Sequence, residues 1–123
     1  MSKIEDAMLN AVETRRNWQS GNTSVRYEGG KSYVRLHGYL IAIYNHAKHT
    51  WRYSDARVEH EGEECGTKTT MSRLNACGAN ICRKKGTWLH RGTKLPFVND
   101  FCEGDGGKIH YNRKKGTYEV WSN

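Results

Sequence analysis

Two stretches of the chain carry the string RKKGT followed by an aromatic residue, at residues 83–88 and 113–118. Short β-prone runs flank both copies, and the glycine can supply the positive φ that a three- or four-residue hairpin loop needs. We therefore predict two basic hairpins. Their candidate nucleic-acid-binding or partner-binding residues are Arg83, Lys84, Lys85, Trp88, Arg113, Lys114, Lys115 and Tyr118.

Cations at hairpin tips can contact phosphates, and an aromatic ring behind them can stack on a base. The pattern favours binding to the nucleic-acid backbone and does not favour sequence-specific recognition. A structural alternative is that lysines at hairpin tips keep the strand edges in water and discourage pairing with another sheet.

A cluster of carboxylates near the C-terminus raises a second possibility. Asp100, Glu103 and Asp105 lie in a glycine-rich segment that Lys108 follows. Such a set can bind a divalent cation in a small metal-dependent nuclease, but the spacing lacks the alternation and terminal Glu of a calcium loop. A glycine-rich turn explains the segment more simply, and whether the carboxylates form a site stays open.

The cysteines and histidines do not show the spacing of a metal site. The cysteines lack a CxxC pair, and Cys77 and Cys82 match a zinc knuckle only loosely. His46 and His49 flank a predicted turn, and Asn45-His46 is only a fragment of a ββ-metal nuclease motif. Phosphate-binding loops and nucleophile elbows do not occur. We predict no catalytic residues, no cofactor and no metal, and we favour a non-enzymatic protein.

The charge of the chain suits an anionic partner. Twenty Lys and Arg residues outnumber 13 Asp and Glu residues, which leaves a net charge of +7. Residues 1–30 are neutral overall, so the excess lies in the remaining three quarters. Nucleic acid or an acidic host protein is the expected partner, although such charge also serves solubility alone.

The length of 123 residues predicts a single domain over residues 1–123. Acidic residues follow the N-terminal methionine where a secretory signal would become apolar, and no apolar run is long enough to span a bilayer. We expect a cytoplasmic protein, in the host cell if it is viral, with reduced cysteines. We expect no membrane contact and either a monomer or a homodimer.

The elements that must position these residues follow from periodicity and capping. Ser2 and Glu5 have capping-box spacing, and an apolar stripe continues at helical spacing as far as Trp18, before residues 20–22 end the helix. A hairpin of period two follows over residues 23–36. The run 39–44 is apolar without alternation, as in a strand that is covered on both faces.

The remaining segments complete an α+β fold. Residues 49–54 predict another strand with Trp51 and Tyr53 on one face, and residues 59–64 predict an acidic loop. Threonines within 67–70 can cap a short helix that ends at Gly78. We predict an N-terminal helix, an antiparallel multi-stranded sheet of hairpins and one short central helix.

Three motifs occur in order within residues 18–78. They are NTSV at residues 22–25, LHG at 36–38 with Ile41-Ala42 after it, and SRLNA at 72–76. Together they resemble a family of small bacteriophage-encoded domains. The resemblance implies a phage accessory protein without catalytic residues. If the motif positions form a polar site, the groups expected to converge are Asn22, Thr23, His37, Arg73 and Asn75.

These observations favour a small basic accessory protein that binds nucleic acid through basic hairpin tips. One alternative is an inhibitor that binds an acidic patch of a host or defence-system protein with the same lysines. A second is a small metal-dependent nuclease.

Overall fold

The computed structural model describes residues 2–54, 68–101, 109–112 and 117–120. They form two helices and nine strands in one sequential order. The elements are α1 (Lys3–Glu13), β1 (Trp18–Ser20), β2 (Thr23–Glu28), β3 (Lys31–Leu36), β4 (Tyr39–Asn45), β5 (Thr50–Tyr53), α2 (Lys68–Ala76), β6 (Ile81–Lys84), β7 (Thr87–His90), β8 (Ile109–Asn112) and β9 (Thr117–Val120). The predicted α+β class is confirmed.

Helix α1 begins with the predicted capping box. The Ser2 side chain accepts from the backbone N–H of Glu5, and the Glu5 side chain accepts from the backbone N–H of Ser2. The helix is shorter than predicted, because Arg15 has a positive φ of 55° just after Glu13. Trp18, which was expected on the helix, instead lies in β1 opposite Val25.

Strands β1 to β5 form one antiparallel sheet in sequential order. The β2–β3 turn at Gly29-Gly30 and the β3–β4 turn at His37-Gly38 each have two central residues with positive φ. Such turns match the twist of the paired strands. Residues 37–38 therefore form a two-residue hairpin turn.

A bulge explains the unbroken apolar run of β4. Val34 lies opposite Ala42, whereas the next residue of β3, Arg35, lies opposite Leu40, so Ile41 is the extra residue. Ile41 and Ala42 belong to the main core, and Leu40 belongs to a second cluster. β4 is therefore buried on both faces, as predicted.

The main core lies between one face of this sheet and the two helices. Met8, Ala11 and Val12 of α1 and Leu74 of α2 pack with the inward side chains of the sheet. On the opposite face, Phe101 packs with a smaller cluster of β-strand residues, namely Leu40 and Ile43, with Tyr33 beside them. In the described part of the chain, neither helix is long and apolar enough to cross a membrane.

Helix α2 differs from its prediction at its start, because it begins at Lys68, before two of the threonines that were expected to cap it. Thr69 and Thr70 lie inside the helix and are not caps. The end agrees with the prediction: Gly78 has a φ of +91°, and the N–H of Ala79 donates to the carbonyl of Leu74. The Tyr53 hydroxyl donates to the carbonyl of Cys77 at 2.7 Å, which ties the end of α2 to β5.

Two further hairpins follow α2 in the chain. Strands β6 and β7 pair so that Thr87 lies opposite Lys84, whereas strands β8 and β9 pair so that Thr117 lies opposite Asn112. The two copies of RKKGT therefore lie in hairpins of different register. The first loop has two residues, Lys85 and Gly86, instead of the three or four that were expected.

Candidate nucleic-acid interface

The tip of the β6–β7 hairpin places three cations at the surface. Arg83 and Lys84 end β6, Lys85 lies in the turn, and all three side chains are exposed. Lys85 and Gly86 have φ values of +49° and +79°, as a type I′ turn requires. Toward the other described residues, none of the three side chains makes a hydrogen bond or ion pair. Their donors are directed to solvent.

The hairpin is held by its other end. Ile81 is fully buried and Trp88 is 2% exposed, and both belong to the main core. The Trp88 ring meets Phe97 edge-on at a centroid distance of 5.8 Å, and the N–H of Phe97 donates to the Trp88 carbonyl. A buried aromatic anchor of this kind fixes the direction of the basic tip.

The burial of Trp88 corrects one prediction. Its ring was predicted to stack on a base behind the cations, and stacking requires an accessible face. Trp88 is opposite Arg83 on the face of the hairpin that turns to the core. The aromatic after the first RKKGT is therefore a core residue.

The second basic tip lies mainly outside the described residues. Arg113, Lys114 and Lys115 fall in that part, and Tyr118 is described only by its backbone, in β9 opposite Tyr111. The roles predicted for these four residues stay predictions.

The three phage-like motifs meet in one hydrogen-bonded chain. Arg73 Nε donates to Thr23 Oγ1 at 3.1 Å, and Thr23 Oγ1 donates to Asn22 Oδ1 at 3.1 Å. Asn22 Nδ2 then lies 3.3 Å from His37 Nε2. Four of the five motif residues expected to converge are brought together, from buried Arg73 to exposed His37.

The inner end of this chain is Glu5, for which the sequence predicted only a place in the capping box. Glu5 Oε2 accepts from Arg73 Nη1 at 2.8 Å and from Ser72 Oγ at 2.6 Å. Burial would raise the pKa of Glu5, but the hydrogen bonds from Ser72, Arg73 and Ser2 and the Arg73 charge together lower it below its usual 4.5. Glu5 therefore stays ionised, and we call Glu5, Ser72, Arg73, Thr23, Asn22 and His37 the polar chain.

Asn75 has a different role. Its Oδ1 accepts from the N–H of Ile81 at 2.7 Å and its Nδ2 donates to the Ile81 carbonyl at 2.9 Å. Asn75 thus closes the loop between α2 and β6 and is not part of the polar chain. Arg73 is buried against α1, because Glu5 supplies its counter-charge.

The polar chain is built as a brace. Its charged groups are paired and buried, so a substrate would have to displace the Glu5–Arg73 pair to reach them. It joins α1 and α2 to the β1–β2 and β3–β4 turns. These contacts favour a structural role for the motif residues of the polar chain over a binding role.

The histidine pair predicted at a turn lines an open cleft beside the end of α1. His46 Nε2 lies 2.7 Å from the buried Ser32 Oγ, and Arg15 Nε donates to His46 Nδ1. Burial, Arg15 and His49 all lower the pKa of His46. With Nδ1 as acceptor, neutral His46 donates from Nε2 to Ser32. Because Ser32 is buried, this pair is not an accessible nucleophile and base.

The other candidate ligands serve the backbone. Asp100 is buried, accepts from the N–H of Tyr53 at 2.9 Å and donates its own N–H to the Tyr53 carbonyl. Asn45 Oδ1 accepts from the N–H groups of Ala47 and Lys48 and so shapes the β4–β5 turn. Glu103 and Asp105 lie outside the described residues. Among those described, no three His, Cys, Asp or Glu side chains are grouped as a metal site would need.

The described cysteines are free thiols. Cys77 is buried in the main core, and this burial raises its pKa, so the thiol stays protonated and unreactive. Cys82 is partly exposed on β6. Cys65 and Cys102 lie outside the described residues.

A comparison with protein-family models settles the origin that the motifs suggested. The model described as Kyanoviridae Gp96 protein matches residues 1–108. The chain belongs to the Kyanoviridae Gp96 family. This is a phage protein family, which confirms the resemblance. Comparisons with curated proteins and with solved structures returned no match.

The match to the Gp96 family covers α1, the five-stranded sheet, α2 and the β6–β7 hairpin. Both the polar chain and the first basic tip thus lie inside the family region. The second copy of RKKGT lies beyond residue 108.

Proposed function

We propose that this Gp96-family protein is a non-enzymatic phage accessory protein that binds the nucleic-acid backbone through its basic hairpin tip. The observation that carries the proposal is the exposed trio Arg83, Lys84 and Lys85. The trio sits on a turn that Ile81 and Trp88 anchor in the core. A fixed cluster of cations without described counter-charges gains free energy by releasing counterions from phosphates.

The net charge of +7 supports the same partner, since it accelerates association with a polyanion. A backbone-directed mode fits the burial of Trp88, because phosphate contacts need no exposed ring at the tip.

The test removes the charge of the tip and keeps its turn. In the variant Lys84→Gln/Lys85→Asn, residues 85–86 become Asn-Gly, which favours the type I′ turn more than Lys-Gly does. We expect weaker retention on heparin and DNA columns. The slope of log affinity against log salt should fall by roughly 1 to 2, because up to two phosphate contacts are lost.

The control is Lys3→Gln/Lys48→Gln, which removes the same charge from exposed positions on α1 and on the β4–β5 turn. Equal behaviour of the two variants would contradict the proposal. Recovery of one host protein from a nuclease-treated lysate, without nucleic-acid binding, would instead support the inhibitor alternative.

A further inference from the structure

The outer face of β1, β2 and β3 forms an open cleft of about 560 Å³. On this face the antiparallel register sets Ser24 between Gln19 and Arg35, with Arg26 two residues further along β2. Asn17 and Trp18 line the end of the cleft beside β1. This cleft is separate from the β6–β7 tip in sequence and in sheet.

The lining of the cleft is rich in donors and contains no carboxylate among the described residues. Arg35 is only partly exposed, yet its guanidinium makes no hydrogen bond or ion pair with a described residue. The hydroxyl of Ser24 and the amide of Gln19 are likewise without a hydrogen bond to the described part of the chain. A guanidinium that borders a cleft and has no described partner there is suited to bind an anion.

Arg26 adds a second guanidinium to the same cleft. Its Nε lies 3.7 Å from Glu28 Oε2, and both side chains are about two-thirds exposed (66% and 68%). An exposed pair at this distance contributes little, so Arg26 can exchange Glu28 for a phosphate at small cost.

We propose that this cleft binds one nucleotide unit of a single-stranded nucleic acid, an inference that rests on the proposed function and adds a second contact site. Arg26 and Arg35 bind the phosphate as charge-assisted donors. Asn17 and Gln19 offer amides to the base or sugar, and Asn17 keeps its Nδ2 for this because its Oδ1 accepts from the N–H of Tyr27.

A single strand fits this cleft better than a duplex does. The volume is in the range of sites for small ligands, so it matches one nucleotide. The bases of a duplex are already paired and stacked, whereas a single strand can turn a base toward the protein.

The experiment measures fluorescence anisotropy of a labelled single-stranded DNA of about fifteen nucleotides. We expect Arg26→Gln/Arg35→Gln to weaken binding on the order of ten-fold at 0.1 M salt and to lower the salt slope by about 1.4. Lys3→Gln/Lys48→Gln is again the charge-matched control. Unchanged thermal melting shows that the cleft variant is folded.

Equal affinities of the cleft variant and the control would overturn the inference. If a duplex binds with the same dependence on Arg26 and Arg35, the single-strand assignment is wrong. It is also wrong if inorganic phosphate alone saturates the NMR chemical-shift changes of the Asn17 and Gln19 side-chain amides. The hairpin variant separates the two proposals. If the hairpin variant weakens binding and the cleft variant does not, the inference fails while the proposed function stands. If only the cleft variant weakens binding, the role proposed for the hairpin tip fails and the cleft remains the binding site.

Discussion

Arg73 and Glu5 are separated by 68 positions in the chain, yet their side chains meet at 2.8 Å in the interior. Burying both charges costs solvation, and their attraction repays it only when the remaining donors and acceptors are also satisfied. The Ser72 hydroxyl and the backbone N–H of Ser2 also donate to the Glu5 carboxylate. The hydroxyl oxygen of Thr23 accepts from Nε of the Arg73 guanidinium. The pair is thus part of a satisfied network.

Removing the guanidinium should destabilise the protein strongly. The variant Arg73→Met leaves Glu5 buried without its counter-charge, which costs about 3 to 5 kcal/mol of the free energy of unfolding. Urea denaturation at neutral pH measures this loss. The double variant Glu5→Gln/Arg73→Met should recover a large part of it, and Arg16→Met, at an exposed position between α1 and β1, should change little.

The same pair gives a signed pH dependence. Because the pKa of Glu5 is lowered in the folded state, its contribution is present above about 4.5 and is lost as the pH falls below that value. In Glu5→Gln, the free energy of unfolding should therefore fall less between neutral and acid pH than it does in the wild-type protein.

A loss of less than about 1 kcal/mol in the free energy of unfolding of Arg73→Met at neutral pH would show that the Glu5–Arg73 pair is not a structural brace.

At the scale of the element, the hairpin turns depend on backbone conformation. Gly86 has a φ of +79°, and a Cβ there would meet no atom within 4 Å. Any cost of a side chain at this position therefore comes from its backbone conformation and not from crowding.

This separation makes Gly86→Ala a direct test of the turn. An alanine in the left-handed region costs about 1 kcal/mol, so the melting temperature should fall. Gly92→Ala is the matched control, since Gly92 also has open space around its Cβ position but has no positive φ. Equal melting temperatures for the two variants would mean that the β6–β7 turn does not have the conformation described.

At the scale of the whole molecule, one core joins the five-stranded sheet and the β6–β7 hairpin. Trp88 and Ile81 of the β6–β7 hairpin belong to the same buried cluster as Met8 of α1, Val34 of the main sheet and Leu74 of α2. Because the hairpin has only two strands, it depends on this contact for its stability.

We expect Trp88→Ala to cost about 3 to 5 kcal/mol and to increase amide exchange in β6 and β7 more than in β2 and β3. Hydrogen exchange measured by residue tests this. The control Leu95→Ala truncates a nearby side chain that is 61% exposed and should leave the exchange unchanged. Hairpin protection that survives in Trp88→Ala would show that the tip is anchored by other contacts.

Most of the fold follows from local patterns in the sequence. The capping box at Ser2 and Glu5 involves residues three positions apart, and the α2 stop at Gly78 needs only one positive φ. The boundary of α1 was wrong because Trp18 fits an apolar helical stripe as well as an edge strand. Pairing with Val25, which periodicity does not reveal, decides between them.

The candidate site was predictable in its charge and less so in its geometry. The exposure of Lys84 and Lys85 follows from the turn, but the burial of Trp88 follows from its packing on Phe97 and the core. Arg26 and Arg35 have no distinctive local motif. Only the antiparallel register of β2 and β3 places them in one cleft.

The sequence by itself determined the basic hairpin tip, the α+β class and the phage motifs, because capping, alternation and turn chemistry act over a few residues. The tertiary structure decided what those motifs do. It paired Arg73 with Glu5 and left Arg35 without a described partner, because both outcomes depend on groups that the fold brings together from distant parts of the chain.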